Sequence, residues 1–393
     1  MLEGLTVFAF ISIAVLIIVY FFLLTEKVNK AIVAILGAVV LVGTQVFRTA
    51  GHSSQEGAFE FITNNLDVLG FVIGMMMLVG IVRESGIFEA LAIWLVKTVK
   101  GRPKHLLVAI GYLTLIMTTF LSNIPTVLIL TPVILVLVRE LKLPYFPYLF
   151  TLVVMANISG AMTPISDPTT YYQAKTVGLS VIEVISKYGV IVLVLSVVSL
   201  AYILFVYRKE LDAVEVSEED VALYDPKSAI KNKKVLLYGV PVLVLAIIVM
   251  VSKEFLANRF GITLDNATIT LGAAFITMLL FHREPQRIFK ELIDWEIIFF
   301  FMGLFIVVGA LEFTHVIDIL ADQLVEITQG SMTYLALMVS TGSALLSTFI
   351  DNVPYNITMV GAIKAMEASG IAVYPLWWAL NLGTSIGGAG SPI

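Results

Sequence analysis

Leu121-Ser122-Asn123-Ile124-Pro125-Thr126 is a polar, proline-bearing interruption in an apolar run, and the chain repeats it as Ile350-Asp351-Asn352-Val353-Pro354-Tyr355. Proline cannot continue a helix ladder and pushes the residue before it out of helical geometry. Backbone that is irregular at membrane depth survives only where protein buries it or where it lines a cavity. One such break in each half of a chain is the sequence mark of a binding site in a repeat-built membrane protein.

The runs around these breaks are apolar throughout. Of 393 residues, 59% are hydrophobic and only 13% are charged, with a mean hydropathy of +0.97. Soluble domains carry about 25% charged residues, so we expect an all-α polytopic membrane protein. The net charge of -5 is too small to point to nucleic acid. The absence of cysteine excludes disulfides, thiolate metal sites and cysteine chemistry. The opening run, Leu5 to Leu24, is long enough to span and lacks a basic leader, so no cleavable signal peptide is expected.

Apolar runs of spanning length fall near 5–24, 28–47, 67–82, 145–173, 181–207, 235–252, 264–281, 294–310 and 372–393. Residues 105–139 and 331–367 read as pairs of short helices flanking the two breaks, that is, as re-entrant hairpins. An amphipathic segment expected along the interface precedes each, Ile87 to Lys100 and Glu312 to Gln329.

The halves are related by a nearly constant shift. Gly74 and Gly80 correspond to Gly303 and Gly309, and Ser122-Asn123-x-Pro125 to Asp351-Asn352-x-Pro354, both at 229 residues. Asn157 to Ile165 corresponds to Ser385 to Ile393 at 228. A register held across three separated motifs predicts a duplication: repeat one over 1–207, a linker over 208–234 and repeat two over 235–393. Each repeat then holds a hairpin and a broken helix, 145–173 in the first and 372–393 in the second. By symmetry a tenth span is expected after the second break, and the chain stops before it.

With the linker placed in the cytoplasm, the 24 basic residues divide 18 inside to 6 outside, as the positive-inside rule requires. The six are Arg48, Lys175, Lys187, Lys253, Arg259 and Lys364. This places the N-terminus outside, in a plasma (inner) membrane. The second amphipathic segment has no Lys or Arg, whereas the first and its following turn carry four, which makes the two repeats inverted in topology. The acidic stretch Glu210 to Asp225 reads as a solvated connection.

The chemistry lies in the breaks. Glycine lets the backbone unwind, and unwound carbonyls with Asn, Ser and Thr oxygens suit a small hard cation such as sodium. Half-helix N-termini suit an anion instead. An aspartate near the bilayer centre costs about 2.5–3.5 kcal/mol, so Asp351 and Asp167 are candidates for function. The motifs contain no Lys or Arg, which favours protons and metal cations over a bare anion. Partial burial raises a carboxylate pKa and permits proton–cation competition. Two blander readings stand beside this one: Asp351 as a helix cap, and Asp167 before Pro168 as a helix stop. The candidate ion- or substrate-binding residues are Ser122, Asn123, Thr126, Asn157, Thr163, Asp167, Thr169, Asp351, Asn352, Ser385 and Ser391. Sodium is assigned to Ser122, Asn123, Asp351 and Asn352. No cofactor is expected beyond sodium or a proton as coupling ion, and no catalytic residue.

Other features read as structure. The glycine pairs suit close helix packing. Tyr374, Trp377 and Trp378 read as an interfacial belt. His52, His105, His282 and His315 share no metal-ligand spacing and read as loop residues. Phe299-Phe300-Phe301 reads as packing or lipid-facing surface.

At these residues the chain resembles the ion transporter superfamily, which includes arsenite permeases, NhaD-type sodium/proton antiporters, the melanosomal P-protein and divalent-anion/sodium symporters. The tips Ser122-Asn123 and Asp351-Asn352 resemble the family's Ser/Asp-Asn tips. Ser166-Asp167-Pro168-Thr169-Thr170 is similar to the Gly-Asp-x-Thr-Thr stretch of the NhaD-type antiporters. The Leu376-Trp377-Trp378-Ala379-Leu380 entry and the glycine-rich second break are more similar to the P-protein and archaeal arsenite-permease-like members. The resemblance implies inverted repeats, a dimerising scaffold and an elevator-like transport domain acting on a small ion or solute. Sodium/proton antiport is the expectation; coupled transport of an arsenite-like oxyanion or a carboxylate is the alternative. Ile124 and Val353 stand where the symporters carry the threonine of their Ser-Asn-Thr tip, which weighs against dicarboxylate binding. An intramembrane aspartyl protease would pair two aspartates, but its Tyr-Asp and Gly-x-Gly-Asp motifs are not found in the spans; Tyr224-Asp225 lies in the linker. A passive channel is the third reading.

Overall fold

The computed structural model describes residues 6–25, 27–49, 52–214, 225–281 and 284–390, with only the backbone of Ile124. It is helical, with no strand among the described residues. Six helices are long and apolar enough to cross a membrane: Val7–Thr25, Leu66–Arg83, Pro103–Leu121, Val181–Val206, Val235–Phe260 and Trp295–Phe313. Lys30–Gly43, Tyr145–Gly160, Asn266–Leu280 and Met332–Ser347 are shorter apolar helices. The chain is therefore an all-α multi-pass membrane protein.

Helix starts follow local sequence. Asn29, Ser180, Asp265 and Asp294 each accept a backbone N–H from the first turn that follows. A capping box between Ser53 and Glu56 starts Ser54–Thr63. That helix is absent from the sequence reading, although Ser-x-x-Glu before an apolar stretch signals it.

The chain divides into two compact units. The first comprises Met1–Leu69, Lys175–Val177 and Asp294–Ile393. Within it, Lys30–Gly43 lies against Trp295–Phe313 because Gly303 has no side chain; a Cβ there would stand 2.7 Å from the backbone nitrogen of Ile35. Val15, Val19, Leu41, Phe47, Val307 and Ala310 form the core around this crossing. The second hairpin packs its leg Met332–Ser347 on Tyr374–Gly387, where a Cβ on Gly387 would stand 2.6 Å from the carbonyl oxygen of Ala344. Such small-residue seams let helices close without a hydrophobic driving force.

The second unit comprises Gly70–Ala174 and Gly178–Ile293. Here Leu66–Arg83 meets Asn266–Leu280 at Gly74, whose Cβ would stand 2.6 Å from the nitrogen of Leu271. The first hairpin's leg Pro103–Leu121 packs on Tyr145–Gly160, and the Tyr148 hydroxyl donates to the Pro103 carbonyl at 3.0 Å. In each unit a glycine of one sequence half receives a helix of the other half, and the two glycines are Gly74 and Gly303.

The same shift is written in backbone conformation. Gly86 and His315 have φ of 79° and 59°, Lys100 and Gln329 of 54° and 52°, and Gly101 and Gly330 of 66° and 69°. The first pair starts, and the others end, the amphipathic helices Ile87–Thr98 and Val316–Ile327. Six residues in left-handed geometry, matched pairwise at 229, support the duplication independently of the tips.

Several expectations are corrected. The legs of the first hairpin, Pro103–Leu121 and Asn123–Glu140, have 19 and 18 residues and are not short; the first leg is of spanning length. Glu312 ends the helix Trp295–Phe313 and does not belong to the amphipathic segment, which begins at Val316. Trp377 is fully buried inside the first unit and is not part of an interfacial belt, although Tyr374 and Trp378 do meet edge to face. His105 lies inside a helix, His315 pairs with Asp318 at 2.6 Å, and His282 lies outside the described residues. Phe299 is exposed while Phe300 and Phe301 are buried. The end of the linker is docked: Gly86 allows close approach of the Ala229 carbonyl, and the Lys231 N–H donates to the Ser85 carbonyl at 2.9 Å.

Candidate functional site

The first tip lies in the second unit. Pro103–Leu121 ends and Asn123–Glu140 begins across a single residue, Ser122, with φ +79° and ψ 157°. That region is essentially reserved for glycine and costs a serine about 1–3 kcal/mol. Two backbone bonds hold the strained residue: its N–H donates to the Thr118 carbonyl, and its carbonyl accepts the Thr126 N–H, both at 3.3 Å. Pro125 falls in the first turn of the new helix, where its missing N–H costs nothing. The interruption read from proline is thus a helix start.

Three side-chain oxygens converge on this turn in sequence: Thr118 Oγ1, Asn123 Oδ1 and Thr126 Oγ1. All three are buried and none has a hydrogen-bond partner; Thr118 and Thr126 are themselves fully buried residues. A buried, unpaired polar group costs about 1–3 kcal/mol, so three at one turn mark a place built for something other than packing. The Asn123 amide lies beside Gly160, where a Cβ would stand 3.0 Å from both of its heteroatoms.

Gly160 ends the helix Tyr145–Gly160, and the break that follows runs to Asp167. Hydroxyls knit it together. Ser166 Oγ donates to the Gly160 carbonyl at 2.7 Å, as does Thr170 Oγ1 at 3.1 Å. Thr163 Oγ1 donates to the Thr119 carbonyl at 2.7 Å and accepts the Ser166 N–H at 3.2 Å, fastening the break to the first hairpin leg. The Thr169 hydroxyl donates to the Asp167 carboxylate. Asp167 precedes Pro168–Val177 and its carbonyl accepts the Tyr171 N–H, so it stands at a helix start and not at a stop. Asn157 donates to the Val153 carbonyl of its own helix at 3.2 Å.

The second tip lies in the first unit and is bonded internally. Asp351 Oδ1 accepts the Val353 N–H at 3.0 Å and so caps Asn352–Ala368. Asn352 Oδ1 accepts the Ser347 hydroxyl, which also lies 3.3 Å from the Thr384 carbonyl. The Tyr355 hydroxyl and Ser343 Oγ are 3.1 Å apart. Ser385 Oγ donates to Asn381 Oδ1 at 3.4 Å. One turn beyond the tip, Asn356 is fully buried and neither amide heteroatom has a partner. Ser391 lies outside the described residues.

Of the predicted residues, Ser122, Asn123, Thr126, Asn157, Thr163, Asp167 and Thr169 belong to the second unit, and Asp351, Asn352 and Ser385 to the first. Sequence reasoning missed Thr118, Ser166, Thr170, Ser347, Tyr355 and Asn356. Thr118 and Ser347 were findable, since both are hydroxyl residues one turn before a tip and they match at the 229 shift. Among the described residues no group of three His, Cys, Asp or Glu side chains is placed to hold a metal; the oxygens available at the first tip are neutral.

The family model described as a citrate transporter (CitMHS) matches residues 20–383. The chain belongs to this citrate transporter family. An uncharacterised transporter of Mycobacterium tuberculosis is 29% identical over 385 residues, covering 96% of this chain and 86% of that protein. A 46 kDa membrane protein of Mycobacterium leprae is 29% identical over 387 residues, with the same coverage. The human P protein is 24% identical over 456 residues, covering 98% of this chain, which spans 54% of that longer protein's length. As a member of the citrate transporter family, the protein is a membrane transport protein, and its membership agrees with the resemblance to the ion transporter superfamily.

Proposed function

We propose that the protein is a secondary active transporter that exchanges sodium for protons by alternating access. The observation that carries this reading is the composition of the two tips. Both are built from hydroxyl, amide and backbone oxygen with one carboxylate, Asp351, and neither includes a cationic side chain. Neutral oxygens at the first tip suit a hard monovalent cation. Asp351 at the second is the group able to carry a proton in exchange. An elevator-like movement, a homodimer in the plasma membrane, an external N-terminus and a cytoplasmic linker complete the proposal.

The description of the matching family favours a second reading, in which the same ions drive a carboxylate such as citrate across the membrane. Half-helix N-termini at both tips are compatible with an anion.

The test uses proteoliposomes with an acid interior and a pH-sensitive dye. Sodium, lithium or potassium is added outside, with choline as control. Sodium-driven alkalinisation that is lost in Asp351→Asn supports exchange. Radiolabelled citrate uptake that depends on sodium or protons, with no exchange in its absence, replaces it with the second reading. A fully active Asp351→Asn sinks the role given to that carboxylate.

A further inference from the structure

The two tips match residue for residue and differ in bonding. Thr118, Asn123 and Thr126 correspond at 229 residues to Ser347, Asn352 and Tyr355. At the first tip each of these side chains has a buried oxygen with no partner. At the second each is satisfied inside the protein: Ser347 bonds Asn352, and Tyr355 bonds Ser343. The backbone differs in the same sense. Ser122 is held at φ +79°, whereas Asp351 relaxes to φ -48° and ψ 135° and caps its helix.

We propose that each chain binds one metal cation, at the first tip through Thr118, Asn123 and Thr126, and that the second tip takes none. This rests on the exchange reading above and deepens it by dividing the ions between the tips. A cation coordinates oxygen lone pairs, and the first tip offers three that nothing else uses. At the second tip Asn352 Oδ1 is already an acceptor for the Ser347 hydroxyl, which can itself donate nowhere better than to Asn352 or to the Thr384 carbonyl. Binding a cation there requires breaking that bond and leaving a buried hydroxyl unpaired. Tyr355 replaces a threonine-sized ligand with a phenol committed to Ser343. The absence of a carboxylate among the three first-tip oxygens assigns the cation class: a monovalent hard ion such as sodium or lithium, because a divalent ion needs charged ligands to offset its larger hydration.

The experiment is cation-dependent thermal unfolding of the purified full chain at constant ionic strength, with choline replacing sodium or lithium. A ligand that binds only the folded state raises the melting midpoint along its own binding curve. The wild type is expected to follow a single-site curve, with a Hill coefficient of about 1. Thr126→Val, which keeps the volume and removes the oxygen, is expected to weaken half-saturation about tenfold, equivalent to ~1.4 kcal/mol; Asn123→Ala is expected to do the same. Asn352→Ala and Ser347→Ala are expected to leave half-saturation within about twofold, below the ~1.4 kcal/mol that a tenfold change requires. A two-site curve, equal weakening by Asn352→Ala, or no stabilisation by either cation overturns the proposal. If Asn123→Ala does not fold, Thr126→Val decides alone. Failure is separable from that of the exchange reading: cation binding lost equally at both tips with exchange intact defeats only this inference. Single-site binding at the first tip without proton exchange defeats only the other.

Discussion

Asn123 rests its side-chain amide against Gly160, where a Cβ would stand 3.0 Å from both amide heteroatoms. The hairpin tip and the broken helix are thus in contact through one missing methyl group. Gly160→Ala meets the end of a flexible side chain, not backbone, so the protein is expected to fold with a melting midpoint close to wild type. The displaced amide is expected to weaken sodium dependence of transport about tenfold, equivalent to ~1.4 kcal/mol. Thermal unfolding and transport measured on the same preparation check the split.

Glycines at helix crossings and glycines facing open space are expected to behave oppositely. Gly74→Ala places a Cβ 2.6 Å from the nitrogen of Leu271, a backbone atom that cannot move aside alone. Overpacking of this kind costs about 1–3 kcal/mol or more. Gly272, on the helix that Gly74 meets, has nothing within 4 Å of a built Cβ. Gly272→Ala is therefore expected to stabilise by about 0.5–1 kcal/mol through helix propensity. Melting midpoints in detergent of the two variants should move in opposite directions.

Ser122 sits in a backbone region that suits glycine. Ser122→Gly is expected to raise stability by about 1 kcal/mol, the strain released less the greater chain entropy of glycine. Ser122→Ala keeps the strain and is expected to give no such gain. If both variants melt alike, the strain is not stored at this residue.

The helix Ser54–Thr63 is expected to loosen in acid. The Glu56 carboxyl is held below its ordinary range, first by the Ser53 backbone N–H and then by the Ser53 hydroxyl. A depressed carboxylate contributes stability above its unfolded pKa and loses it as pH falls through the folded value. Deuterium exchange at the amides of the first turn should therefore accelerate below about pH 4, and Ser53→Ala should show that faster exchange already at neutral pH.

Legibility from the sequence differed by level. Span positions were readable because each is a local property: a run apolar enough to face lipid has few alternatives. The duplication was readable because its motifs keep their register, and the left-handed residues at Gly86 and His315 show the same spacing in the backbone. The role of proline was half-read. Pro125, Pro168 and Pro354 interrupt the apolar pattern, but each sits in a first helical turn, so they mark starts where breaks were expected. Trp377 was misread because composition places tryptophan at an interface, whereas packing within the first unit buries it.

What the sequence by itself determined was an all-helical membrane protein with two proline-bearing tips, because apolar run length and helix-breaking residues act through neighbours along the chain. What only the tertiary structure decided was which tip oxygens are free. Thr118 and Ser347 are both hydroxyls one turn before an asparagine, and nothing in their spacing distinguishes them. Ser347 finds Asn352 and Thr118 finds no partner, because a hydrogen bond depends on a few tenths of an ångström and a few tens of degrees. That geometry is set by the backbone at Ser122 and Asp351 and by the helices packed around each tip.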